Sequence, residues 1–305
     1  MDLLGQGKSD KPGRADGIEY SIHLWAEQVD AYIREKIMGS NDEDGDNGGA
    51  ATDLVLCGNS LGSLVVLSAV TGDFKISPSA TRDNSSSISS SIGSRWTDRC
   101  KGICMFNCGV GLNSRGIANE EQWTPFQRYL INALYNVLDA LIFRNTALLT
   151  YVLDTVVTRD LLRDALTSLY RYQPDRVDDE LVDSFYLPAK DRGSVEALSQ
   201  IYTNEPGATP MDLHRKYGTT SSTKRDEDEE NGNKKKNILD TIPIHLIWGD
   251  DDAVTPLGGG VGQYYRNMAL NRNHVSFQVV SAGHIPFDDN PRDSHESMVQ
   301  WLDKL

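Results

Sequence analysis

Three short stretches of this sequence hold side chains that could together transfer an acyl group. The first is Gly58-Asn59-Ser60-Leu61-Gly62, a G-x-S-x-G pattern in which glycines admit close backbone approach and the serine hydroxyl stands at the tip of a tight turn. The second is Asp250-Asp251-Asp252, directly after Gly249, and the third is His284, which follows Ser281-Ala282-Gly283. A serine hydroxyl is a poor nucleophile until a base takes its proton, and histidine can accept and return a proton near neutral pH. A carboxylate then orients the ring and stabilises the imidazolium. Singly, each residue also fits an ordinary role as turn serine, solvated acid or loop histidine. Jointly, and in the chain order serine, acid, histidine, they favour ester hydrolysis.

Such residues need elements to position them. Leu54 to Cys57 is a short continuous apolar run, as expected of a strand covered on both faces. Leu64, Val65, Leu67 and Ser68 continue at helical density after the turn. Gly102–Cys108, Ile242–Trp248 and Val275–Val280 read as further strands, and Tyr20–Ile37, Val261–Leu270 and Pro291–Leu305 as helices. The first of these helices carries Ile22, Trp25, Ala26, Val29, Ile33 and Ile37 on one side with Ser21 as cap; the last docks through Met298, Trp301 and Leu302. Strands alternating with helices imply a parallel sheet, whose site lies at the carboxyl ends of the strands. Ser60, the three acids and His284 occupy three such ends.

Between the second and third strands the pattern changes to helices alone. Phe126, Leu130, Leu134, Val137 and Leu141 form one stripe, and Leu148, Val152, Thr155 and Val156 a second. They read first as core, with the inner wall of a lid as the alternative. Shorter helices follow at Leu161–Tyr172, Asp178–Phe185 and Gly193–Tyr202, then a loop from Asn204 to Pro210. The chain thus divides into a core segment 1–118, a helical cap 119–218, a polar insertion 219–237 and a second core segment 238–305. The serine-rich stretch 77–95 and the insertion 219–237 bury too little apolar surface to offset their ordering entropy and are expected to be disordered. The acidic stretch from Met38 to Thr52 reads as a loop.

The 305 residues, 39% hydrophobic, suit a globular protein. A net charge of -14, from 44 acidic and 30 basic residues, argues against general affinity for nucleic acid or anionic membranes. No apolar run reaches the length of a membrane span. The four cysteines make no disulfide framework or C-x-x-C pair; Cys100, Cys104 and Cys108 are expected as buried thiols on one strand face. No metal or cofactor is called for.

GNSLG at Gly58 to Gly62, WGDDDAVTP at Trp248 to Pro256 and AGHIPFDDNP at Ala282 to Pro291 resemble the pheophytinase and chlorophyll dephytylase branch of the α/β-hydrolases. The cap stretches Val177 to Val182 and Thr203 to Pro210 are similar to that branch too. The resemblance implies an α/β-hydrolase fold with an inserted helical cap. It also implies Ser60 as nucleophile, the Leu61 N–H as an oxyanion-hole donor, His284 as base and Asp252 as acid, with Asp250 in reserve. Ala253 stands where the family usually has proline. The implied substrates are phytyl esters of pheophytin- and chlorophyll-type pigments, and the implied location is the chloroplast, although no transit peptide is present. The family places LLGQGKSDKP, here Leu3 to Pro12, after its fourth strand, so the sheet is expected to be partial, with its first strands and a second oxyanion donor missing. Two alternatives stay open: hydrolysis of another lipophilic ester, and a catalytically impaired remnant or binding module.

Overall fold

The computed structural model describes residues 2–38, 53–74, 94–113, 124–218 and 238–305. Four strands, β1 (Leu54–Asn59), β2 (Cys100–Phe106), β3 (Ile244–Gly249) and β4 (Val275–Val280), form one sheet in the order β1-β2-β3-β4. Every pairing is parallel. This is the partial parallel sheet expected from the alternation of strands and helices, and each strand falls within two residues of its sequence-predicted bounds.

Side-chain alternation divides the core between the two sheet faces. Ile103 and Met105 of β2, with Leu246 and Trp248 of β3, point into a large cluster. That cluster also takes Tyr20, Ile22 and Trp25 from α1 (Ile22–Tyr32) and its flank, and Leu64 to Val70 from α2 (Leu61–Thr71). Cys104, Phe106, Ile247 and Val280 point to the opposite face, where Trp301 packs on them. Ser21 caps α1 by accepting from Leu24 N at 3.1 Å. A turn of π-helix, Ile33–Met38, extends α1. Helix α2 is buried from Ser63 through Val70, which suits its nearly unbroken apolar sequence.

The β2–β3 crossover holds the helical segment expected to form the cap. Its helices are α3 (Pro125–Leu138), α4 (Thr146–Tyr151), α5 (Arg159–Thr167), α6 (Asp179–Ala189), α7 (Ser194–Thr203) and α8 (Pro210–Tyr217). The chain then returns through β3, α9 (Gly260–Asn271), β4 and α10 (Pro291–Leu302). No helix of the described residues is long and apolar enough to cross a membrane.

Several expectations need correction. β1 is not covered on both faces: Leu54 is buried, but Val55 and Leu56 are half-buried and Cys57 is exposed. Among the described residues β2 is its one neighbour. The stripe Phe126, Leu130, Leu134, Val137 and Leu141 is not core, since all five are at least half exposed. In α10 Trp301 docks on the sheet, whereas Leu302 faces outward. The three cysteines do not share a face. Cys100 and Cys108 join the larger cluster and Cys104 the smaller, because the β1–β2 register shifts opposite Cys100 and Cys108 lies past the strand end. Residues 77–93 of the serine-rich stretch, residues 39–52 of the acidic loop and the insertion 219–237 lie outside the described residues. Ser94–Thr97 forms a helical turn.

Candidate active site

Ser60 occupies the step from β1 into α2, with φ 51° and ψ -119°. Positive φ costs a residue with a Cβ roughly 1–3 kcal/mol, and such strain persists where surrounding structure over-determines it. Three backbone hydrogen bonds do so here: Ser60 N donates to Phe106 O at 2.9 Å, while Gly109 N and Ser63 N each donate to Ser60 O at 3.0 Å. The two motif glycines have unequal roles. A Cβ on Gly58 would lie 2.4 Å from Gly62 O, so the turn requires glycine there. A Cβ on Gly62 would meet nothing within 4 Å. As the first residue of α2, Leu61 has an N–H without an intrahelical acceptor, which leaves it available to an oxyanion.

Beyond β3, Asp252 is buried and richly hydrogen-bonded. Its Oδ1 accepts from Val254 N at 2.7 Å and Thr255 N at 3.0 Å, and its Oδ2 accepts from Thr255 Oγ1 at 2.6 Å. Beyond β4, His284 Nδ1 lies 3.0 and 2.9 Å from the two Asp252 oxygens. Burial works to raise the Asp252 pKa, but the hydrogen bond and charge of His284, with the Thr255 contacts, outweigh it and hold the carboxyl below its ordinary value. An ionised carboxylate only accepts, so Nδ1 carries the proton, and in the neutral ring Nε2 keeps its lone pair for a substrate-side proton.

The reserve acid Asp250 turns away from the imidazole. Its side chain accepts from Ala282 N at 3.2 Å and Ser281 Oγ at 3.3 Å, while Asp251 pairs with Arg171 at 2.8 Å. Of the three acids, only Asp252 reaches His284. The structure thus joins Asp252 to His284 and sets Ser60 at the end of the same sheet. Among the described residues no hydrogen bond links Ser60 Oγ to the His284 ring.

Three positioning residues escape a reading of sequence alone. Asn107, fully buried at φ 40° just beyond β2, donates from Nδ2 to Gly283 O and accepts at Oδ1 from Gly249 N, both at 2.8 Å. Its amide therefore ties the acid-bearing strand end to the residue before His284. Thr255 fixes the Asp252 carboxylate as described above. Asp289, with no exposed surface, accepts from Gly283 N at 2.7 Å and from the cap backbone at Arg171, Tyr172 and Gln173. With His284 N donating to Leu169 O at 3.0 Å, it joins the cap to the histidine loop. Asn59, oriented so that its amide nitrogen donates, reaches the carbonyls of Phe106 at 3.2 Å and His284 at 3.3 Å. The positive φ at Asn107 is the kind of strand-end signal that asparagine permits, but its partners lie far away in sequence.

Two of the other histidines have structural surroundings. His245 lies between Ser276 Oγ at 2.7 Å and Ser297 Oγ at 2.9 Å and stacks on Trp301. His214 meets Tyr265 at 3.2 Å. A cavity of about 860 Å³ lies between the Gly5–Lys11 segment and the cap, lined by Leu153, Phe185, Leu187 and Ile201 among others. It includes none of Ser60, Asp252 and His284.

Comparison with solved structures identifies the fold. A bromoperoxidase from Bacillus anthracis matches with a TM-score of 0.55 at 12% identity, over 99% of this chain and 80% of its own. An epoxide hydrolase from Bacillus megaterium matches at 0.53 and 16%, over 99% and 82%. A thermophilic esterase from Thermogutta terrifontis matches at 0.51 and 14%, over 99% and 78%. The chain therefore has an α/β-hydrolase fold with a partial sheet of four parallel strands. No protein-family model matches the sequence, and no curated protein sequence matches it significantly.

Proposed function

We propose that this chain is a serine carboxylic-ester hydrolase in which Ser60 is the nucleophile, His284 the general base and Asp252 the acid that orients it. The reading is carried by the His284 Nδ1–Asp252 contacts of 2.9 and 3.0 Å, made at the sheet end where the strained Ser60 turn also lies. His284 Nε2 takes the Ser60 proton as Oγ attacks the ester carbonyl. The tetrahedral oxyanion meets the Leu61 N–H, and the protonated imidazole returns its proton to the leaving alkoxide. Water then repeats the sequence on the acyl-enzyme.

The substrate we propose is the phytyl ester of a pheophytin- or chlorophyll-type pigment, and the chloroplast is the corresponding location. Support comes from the sequence motifs around Ser60, Asp252 and His284 and from a cap that presents much apolar surface. The test is incubation of the pure protein with pheophytin, with chromatography of the products. The proposal expects free phytol and the acid pigment, and neither from Ser60→Ala. Cleavage of simple lipophilic esters with pheophytin left intact would shift the substrate to another lipophilic ester. A binding module is the second reading, favoured by the missing Ser60–His284 hydrogen bond among the described residues; it expects pigment binding without release of phytol.

A further inference from the structure

Cys57 of β1 and Cys104 of β2 are direct partners in the parallel register. Neighbouring strands lie about 4.8 Å apart, inside the roughly 4.4–6.8 Å Cα separation that a disulfide spans. Each thiol acts on the titration of the other. Their surroundings are unequal: Cys57 is exposed, whereas Cys104 is fully buried with Phe106, Ile247 and Trp301. We infer that Cys57 and Cys104 form a redox-active dithiol that a hydroperoxide converts into an intrachain disulfide.

The asymmetry assigns the roles. The neighbouring Cys104 thiol lowers the Cys57 pKa, outweighing burial, and the same interaction raises that of Cys104. Cys57 is thus the accessible nucleophile and Cys104 the resolving thiol. The Cys57 sulfur attacks the peroxide O–O bond, which breaks to give a sulfenic acid and the alcohol, or water from hydrogen peroxide itself. The Cys104 sulfur then displaces water from that sulfenic acid. Two thiols supply the two electrons that reduce the O–O bond, and their protons end in the alcohol and water. Cys100 and Cys108 are the inert controls, because burial pushes their thiols up to about 11 and about 12.

This site is independent of the ester-hydrolase reading, and its test makes no use of esterase activity. The reduced, desalted full chain is exposed to hydrogen peroxide, its thiols are counted, and its peptides are mapped by mass spectrometry. The inference expects two of the four thiols to be lost, a Cys57–Cys104 linked peptide, full recovery with dithiothreitol, and the same result in Ser60→Ala. Cys57→Ser, at an exposed position that folding tolerates, should keep its other thiols at the same dose. Retention of all four thiols, over-oxidation of Cys57 without a link, a bond between two chains or a link through Cys100 or Cys108 would each overturn it.

Discussion

The side-chain amide of Asn107 donates to the carbonyl of Gly283 at 2.8 Å, holding the residue that precedes His284 against the end of β2. The same amide accepts from Gly249 N at 2.8 Å, so one buried side chain sets the spacing between the acid and histidine loops. Asn107→Ala leaves both backbone groups without partners, at about 1–3 kcal/mol for each unsatisfied group. We expect a fall of about 2–6 kcal/mol in unfolding free energy by urea titration, with a larger fractional loss of esterase activity than of folded protein at 25 °C. Equal losses would make Asn107 a purely structural residue.

The motif glycines should separate on mutation. Gly58→Ala drives a Cβ to 2.4 Å from Gly62 O and should cost at least about 2 kcal/mol or prevent folding, as overpacking against backbone does. Gly62→Ala enters open space in the first turn of α2 and should be neutral or stabilising by about 0.5–1 kcal/mol, the usual gain from replacing a helical glycine. Denaturant midpoints of the two variants check the contrast.

Acid should weaken the fold through two histidines. Burial lowers both His214 and His245 to about 4 from an ordinary 6.5. Between these values the unfolded chain binds more protons than the folded one, so stability is fully present above pH 6.5 and is lost as pH falls toward 4. Each histidine accounts for up to about 3 kcal/mol over that window. Urea midpoints measured from pH 7 to pH 4 should fall steadily, and His245→Gln should flatten the slope. A flat wild-type profile would contradict the assignment of both rings as buried and neutral.

Asp252→Asn keeps the shape of the side chain but can present an amide N–H to Nδ1, favouring the tautomer that leaves Nε2 protonated. Ester turnover should then fall about 10⁴-fold while the far-UV spectrum is unchanged. Asp250→Asn, which alters a carboxylate turned toward Ser281 and Ala282, should stay within about tenfold of wild type, the effect of a distance shift of about 1.4 kcal/mol.

Most of the sheet was legible because β2 and β3 carry apolar runs bounded by turn residues, as parallel strands buried on both faces do, and β4 is a short valine-rich run, Val275–Val280, although its middle is part-exposed. Ser60 and His284 stood out because their chemistry is local to short motifs, whereas the residues alone left Asp250, Asp251 and Asp252 open and only the resemblance pointed to Asp252. Asn107 and Asp289 were not legible, since their value lies in backbone partners brought near only by folding. Helix α8 was readable and was passed over as loop at its start: Thr209 and Asp212 form a capping box, the signal that a threonine followed three positions later by an acid gives. The Phe126–Leu141 stripe was misjudged because periodicity reports that a helix has an apolar face, not what covers it.

The central claim is that Ser60 is a nucleophile activated by the Asp252–His284 pair. Its most direct test is labelling of the folded full-length protein with a fluorophosphonate probe, followed by mass mapping of the adduct. The account predicts a single stoichiometric adduct on Ser60, abolished in Ser60→Ala and strongly slowed in His284→Ala. Absence of any adduct on soluble, folded protein, or labelling at another serine that survives Ser60→Ala, would contradict it.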